Sequence, residues 1–225
     1  MKVNVSHDAG GYYCEHVYFL ASKEVEKSGG KAHFLHLRKD EISTLKSASS
    51  NEVNDPSRYV DIVAALEKIL RHFRDQKKTR FLITGFGPFR DIINNPSGQF
   101  LQQKALVQNL MHKVFSIETQ MHDLGFYAEQ NNIALFGELL AVSDDALSQN
   151  DPRSIQALIT KHRPEIVISM GVGGEAMRAE TVASDRNLLK KGARYQHVDD
   201  GSPEKTRFTR DYTLASILDS ILVYS

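Results

Sequence analysis

One thiol is available for chemistry in this chain, that of Cys14. It follows Asp8-Ala9-Gly10-Gly11, a turn built on glycine's freedom of backbone angle. Cys14, Val17, Tyr18, Ala21 and Val25 then recur at helical spacing, and Gly29-Gly30 ends the run. Cys14 therefore belongs in or near the first turn of a helix. Unpaired N–H groups and the positive end of the helix dipole there stabilise a thiolate. His36 lies in the apolar run Ala32 to Leu37, a strand that can pass alongside. A thiol next to an imidazole is the minimum kit for a cysteine hydrolase. His7 and His16 flank Cys14 and compete for the base role. A carboxylate from the Glu175–Asp185 stretch would orient the imidazole, and main-chain N–H groups at a turn or helix start would bind an oxyanion. The competing structural reading is a small core cysteine and a packed histidine, since free cysteine is commonly buried.

A second chemistry is nucleotide binding. Gly171-Val172-Gly173-Gly174-Glu175-Ala176 fits G-x-G-x-x-[GA] directly after a strand. It would need Met177 to Lys191 as a helix, Tyr195 to Val198 as a strand, and Asp199 on a ribose. Metal chemistry has less support. His33 and His36 are three apart on a strand and point to opposite faces. There is no cysteine pair, no H-E-x-x-H, no P-loop and no G-x-S-x-G elbow.

These residues must be placed by the elements around them. Lys2 to Ser6 alternates as a short strand does, and Leu37 to Asp55 reads as a loop. Asp55-Pro56-Ser57 opens a helix with the apolar stripe Tyr59, Ile62, Val63, Leu66, Ile69, Leu70 and Phe73. Arg80 to Phe86 is a continuously apolar central strand. It runs into a turn carrying Phe86 and Phe89, which either plug the core or wall a small apolar pocket. Ser97 is the expected cap of a helix from Gln99 to Met111. Val114 to Leu124 reads as a strand, Tyr127 to Ala146 as partly helical, and Asp151-Pro152 as the start of a helix through His162. Glu165 to Gly171 is a further strand, Glu175 to Asp200 a short helix or hairpin, and Thr209 to Leu222 a last helix. Strands alternating with helices predict one α/β domain over 1–225, with a mostly parallel sheet and helices on both faces. Sites in such sheets lie at the carboxyl ends of the strands. The turn before Cys14, His36, Phe86 to Phe89 and Gly171 to Glu180 are all expected there.

Composition narrows the setting. The 28 basic and 28 acidic side chains cancel, leaving no whole-chain field to attract nucleic acid or an acidic membrane. A single cysteine excludes an intramolecular disulfide and suits a reducing compartment. No N-terminal stretch resembles a signal peptide, and no run reaches the ~18 apolar residues of a membrane helix. A cytoplasmic protein is expected, with no metal and no cofactor. A homo-oligomer remains open.

Four segments together resemble pyrrolidone-carboxylate peptidase, or pyroglutamyl peptidase I, a family of cytoplasmic cysteine peptidases. SHDAGGYYCEH is similar to its nucleophile segment S-N-T-A-G-x-[FY]-x-C-N-x, and FLHL to its histidine strand F-I-H-[VI]-P. LITGFGPF with the following NNPS is similar to its [LV]-[LV]-T-G-F-x-P-F opening and N-P-S. PEIVISMGVGGEAMRAETVASDRN is similar to its glycine-rich and glutamate elements. The resemblance implies a three-layer α/β/α sandwich that removes N-terminal pyroglutamate from peptides through a Cys-His-Glu triad. It assigns Cys14 as nucleophile, His36 as base and Glu180 as orienting acid. It also implies Phe86 and Phe89 as pocket walls, Tyr12 and Tyr13 beside the nucleophile, Val172 in the pocket and Arg194 near the site.

The order of the segments departs from the family's, in which the GFxPF and glutamate elements precede cysteine and histidine. Residues 1–76 resemble its C-terminal part and 77–225 its N-terminal part, as if the chain were circularly permuted. Surface termini lying close together tolerate such a change. Val172 stands where the family has glutamine, Glu175-Ala176 where it has Gly-Arg, and Glu15 and Arg38 where it has asparagine and proline. The stretch before Glu180 is about two residues short. An inactive or small-molecule-binding relative, using the Gly171–Gly174 loop, is the alternative.

Overall fold

The computed structural model describes residues 3–6, 12–74, 79–103, 133–184, 188–191, 194–197, 208–210 and 217. Six strands form the main sheet: β1 (Asn4–Ser6), β2 (Lys31–Leu37), β3 (Thr79–Phe86), β4 (Ile133–Leu140), β5 (Ile166–Val172) and β6 (Arg178–Glu180). Their spatial order is β1-β6-β2-β5-β3-β4. The pairs β2–β5, β5–β3 and β3–β4 are parallel. β6 runs antiparallel to β2 and parallel to β1. The helices α1 (Tyr13–Glu26), α2 (Ser50–Val53), α3 (Val60–Arg74), α4 (Pro96–Gln102) and α5 (Ile155–His162) complete a three-layer α/β/α sandwich.

Period-two alternation sorts the strand side chains between two cores. Phe34, Leu82 and Val167 pack with Val17, Tyr18 and Val25 of α1 and with Leu158 and Ile159 of α5. Their neighbours Leu35, Phe81, Ile83, Ile166 and Ile168 pack on the other face with Ile62, Leu66, Ile69 and Phe73 of α3. The strands read as unbroken apolar runs because both faces are covered. The stripe on α3 is buried as its spacing predicts; truncating Leu66 to Ala would cost about 2–5 kcal/mol.

Several elements differ from expectation. The stretch between β2 and α3 is not wholly loop: it holds a 3-10 turn at Glu41–Thr44 and the short α2. A complete capping box at Ser49 and Glu52 offsets the polar composition of α2. α4 begins at Pro96, with Asn95 rather than Ser97 as its cap, because proline prefers the first helical position. Residues 133–140, read as ambiguous and partly helical, form β4. α5 begins at Ile155 under a Ser154 cap, three residues after the Pro152 signal. In Glu175–Asp200 the expected hairpin is present, β8 (Leu188–Lys191) with β9 (Arg194–His197), and the described residues before it add β6 and β7 (Val182–Ser184). Thr209 is in a strand, β10 (Phe208–Arg210), pairing with Ala183 of β7, so the last helix does not start there. The turn at Asp8–Gly11, the expected strand at 114–124, Lys77–Lys78 and both chain ends lie outside the described residues. No helix among the described residues is long and apolar enough to cross a membrane.

Candidate active site

The carboxyl ends of parallel β2, β5 and β3 bring His36, Gly171–Val172 and Phe86 to one edge. Cys14 arrives by a different route from the one expected. β1 runs opposite to β2, so its carboxyl end points away from this edge. α1 then runs down into β2, which leaves its N-terminus, and Cys14, at the edge. His36 is two residues from Phe34 on β2 and shares its face, the one covered by α1. The Cys14 sulfur lies 3.4 Å from His36 Nε2. His33 is buried on the opposite face, stacked on Phe73 at 5.9 Å. Expectation from the spacing and geometry agree in placing His33 outside the site.

Glu180 reaches the same ring from β6. Its strand pairs Arg178 opposite His36 and Glu180 opposite Phe34, so the Glu180 and His36 side chains both fall on the α1 face. Glu180 Oε1 is 2.6 Å from His36 Nδ1, and the carboxyl is fully buried. A carboxylate can only accept, so Nδ1 carries the proton and Nε2 offers its lone pair to the thiol. The shortened stretch before Glu180 thus still spans the distance. Glu180 Oε2 has no hydrogen-bond partner among the described residues. Of the competitors, His7 and Asp185 lie outside the described residues, and the His16 ring packs edge-on to Phe19 at 6.5 Å.

The thiol departs from expectation. Burial pushes the Cys14 thiol up from 9.0 to about 12. The N–H groups of Glu15 and Cys14 pull it down, as a helix start should, but less than desolvation raises it. The buried Glu15 and Glu180 carboxyls add to the rise. The helix N-terminus therefore moderates the pKa without producing a standing thiolate.

Beside the thiol is a cavity of about 320 Å³ lined by Tyr12, Tyr13, Phe86, Phe89, Ile92, Val142, Val172 and Arg178, among others. Phe86 serves as both plug and wall, buried in the α1-side core and facing the cavity. Tyr13 is buried, its hydroxyl donating to Asp144 Oδ1 at 2.9 Å, while Tyr12 is exposed. Phe89 and Ile92 exchange two backbone hydrogen bonds across the tight turn at Arg90–Asp91. That turn is tied across the mouth by Lys39 Nζ to Asp91 at 2.8 Å.

The NNPS segment supports the wall. Ser97 Oγ accepts from the Phe86 N–H at 3.0 Å, and Asn95 Nδ2 donates to the Gly87 carbonyl at 2.9 Å. A Cβ on Gly98 would fall 2.3 Å from the Phe86 carbonyl oxygen, so only glycine lets α4 approach this closely.

The Gly171–Gly174 loop is packed against the triad rather than opened for a phosphate. A Cβ on Gly171 would lie 2.8 Å from the Phe34 ring and 3.3 Å from Cys14 Cβ. One on Gly173 would lie 3.1 Å from the His36 ring and 3.0 Å from Arg178 Nη2. The loop leads into β6, not into the helix expected at Met177–Lys191, so it does not open a helix of its own as the nucleotide fingerprint requires. Residues 194–197 are strand, as expected there, and Asp199 lies outside the described residues. Arg194 is placed on β9 by its backbone; its side chain is outside the described residues. No group of three or more potential metal ligands occurs among the described residues.

Arg178, Ile92 and Val142 were missed as site residues. Arg178 is two residues from Glu180, which puts both on one face of β6, but a three-residue strand leaves no period to read in the sequence. Ile92 and Val142 had no readable signal: neither residue type nor spacing marks a pocket wall, and Ile92 sits in the tight turn it closes with Phe89. No family model matches the chain, and neither does any curated protein or solved structure.

Proposed function

We propose that the protein is a cysteine hydrolase of pyroglutamyl-peptidase type, removing pyroglutamate from the N-terminus of peptides in the cytoplasm. The observation that carries this reading is the line Cys14 Sγ, His36 Nε2, His36 Nδ1, Glu180 Oε1, with spacings of 3.4 and 2.6 Å, opening on an apolar cavity. A thiol held up near 12 stays protonated at neutral pH. His36 must then take the proton as the sulfur attacks the scissile carbonyl carbon, rather than hold a ready thiolate. The C–N bond breaks, and the imidazolium returns the proton to the leaving amine. Water, deprotonated by His36, displaces the sulfur and releases the acid. Glu180 fixes the tautomer and balances the transient imidazolium. N–H groups of the first turn of α1, where Tyr12 supplies no side-chain cap, are the candidate oxyanion donors.

The test is amine release from a pyroglutamyl amide. Cys14→Ala and His36→Ala are expected to abolish it, and Glu180→Gln to lower kcat about 100- to 10,000-fold. Unimpaired turnover by Cys14→Ala would refute the reading. A folded wild type inert to every amide would leave only a binding relative.

A further inference from the structure

We propose that Arg178 gives the cavity a site for an anionic acyl group, so that amides of short dicarboxylic acids, of glutaryl type, are preferred to open-chain neutral acyl amides of the same length. The preference rests on the hydrolase reading; the anion site itself does not. Arg178 lines the cavity and its side chain is 35% exposed. It makes no hydrogen bond to any described residue, and its Nε is buried without a partner. Its ion pair with Glu180, at 3.8 Å, is too long for a hydrogen bond, and that oxygen is already engaged by His36. A guanidinium presents five donors and no acceptor, so a half-buried one without acceptors is incomplete until an anion arrives. The cavity supplies none: its one lining carboxylate among the described residues, Asp91, is taken by Lys39. Arg178 Nη2 and the His36 ring both flank the Gly173 Cβ position, which puts the cation close to the reacting centre. Phe86, Phe89 and Val172 are apolar and suit the methylene chain between two carboxyl groups. The bond changes are those above. The sulfur forms a bond to the amide carbon of a glutaryl amide, the amine leaves with the thiol's proton, and water releases glutarate and the free thiol.

Since Cys14 is the only cysteine, alkylation reads this site alone. The rate ratio of iodoacetate, an anion, to neutral iodoacetamide cancels the thiol's own reactivity. It is expected to be raised in the folded wild type over the urea-unfolded chain, to fall about 10- to 100-fold in Arg178→Gln, and to recover partly in Arg178→Lys. The ratio of kcat/KM for a glutaryl amide over a pentanoyl amide should fall in parallel. Equal alkylation ratios in wild type and Arg178→Gln would overturn the anion site, and so would a parallel loss on both amides, the signature of a residue that only positions Glu180. If no amide is turned over but the alkylation ratio still falls, the hydrolase reading fails and the anion site stands. Should Arg178→Gln not fold, the folded wild type against the urea-unfolded chain decides alone, and an iodoacetate-to-iodoacetamide ratio not raised by folding overturns the anion site.

Discussion

Burial of the Cys14 thiol couples its chemistry to stability. In the unfolded chain the thiol ionises near 9.0, in the folded protein near 12. The folded state thus holds the proton more tightly, and stability falls as pH rises from 9 toward 12. Cys14→Ser removes that component. Urea melts of both proteins should show a wild-type-minus-variant difference that is constant below pH 9 and declines above it. A difference independent of pH would show that the thiol is not desolvated. On the proposed reading, a second residue, Val172, sets specificity. A buried lactam N–H and C=O need partners, and the Val172 side chain offers none. Pyroglutamyl turnover is therefore expected to be weak and to rise about tenfold in Val172→Gln. A fall in that variant would show that the pocket meets the lactam another way.

Elements make the site by convergence, and their legibility differed. His36 was readable because β2 is an unbroken apolar run of strand length, and the start of α1 because glycines and helical spacing bracket it. The β6 strand was not: Arg178-Ala179-Glu180 is too short for its period to register, and it exists by pairing with β1 and β2. Capping chemistry misplaced the start of α4, since Asn95 outcompetes Ser97 once Pro96 occupies the first turn. The cysteine's pKa was unreadable, because desolvation depends on what covers the thiol. A close contact between elements lies at Gly171, where β5 meets Phe34 of β2 and Cys14 of α1. Gly171→Ala is expected to displace the thiol from His36, costing about 1–3 kcal/mol of stability and more than tenfold in Cys14 reactivity. Chemical melts and alkylation rates check both; a silent substitution would show that α1 can shift without cost.

Across the whole molecule, the α/β class followed from the alternation of elements, while the β1–β6 edge, which runs antiparallel to the rest of the sheet, did not. Glu180 is 144 residues from His36 in sequence, so the Cys14–His36–Glu180 contacts exist only when the sheet is assembled. Loss of the His36–Cys14 pair and loss of fold should therefore coincide. Cys14 alkylation and far-UV circular dichroism are expected to give the same urea midpoint. An alkylation midpoint well below the spectroscopic one would mean that the β1–β6 edge opens independently.

The central claim is that Cys14 is an acyl-accepting nucleophile activated by His36. It is tested most directly by acid-quenching the wild type within its first turnovers on a pyroglutamyl ester and weighing the intact protein. The expected result is a mass gain of one pyroglutamyl group on Cys14, removed by hydroxylamine and missing in His36→Ala. Ester cleavage with no acyl group on Cys14, or an acyl group on another side chain, would contradict it.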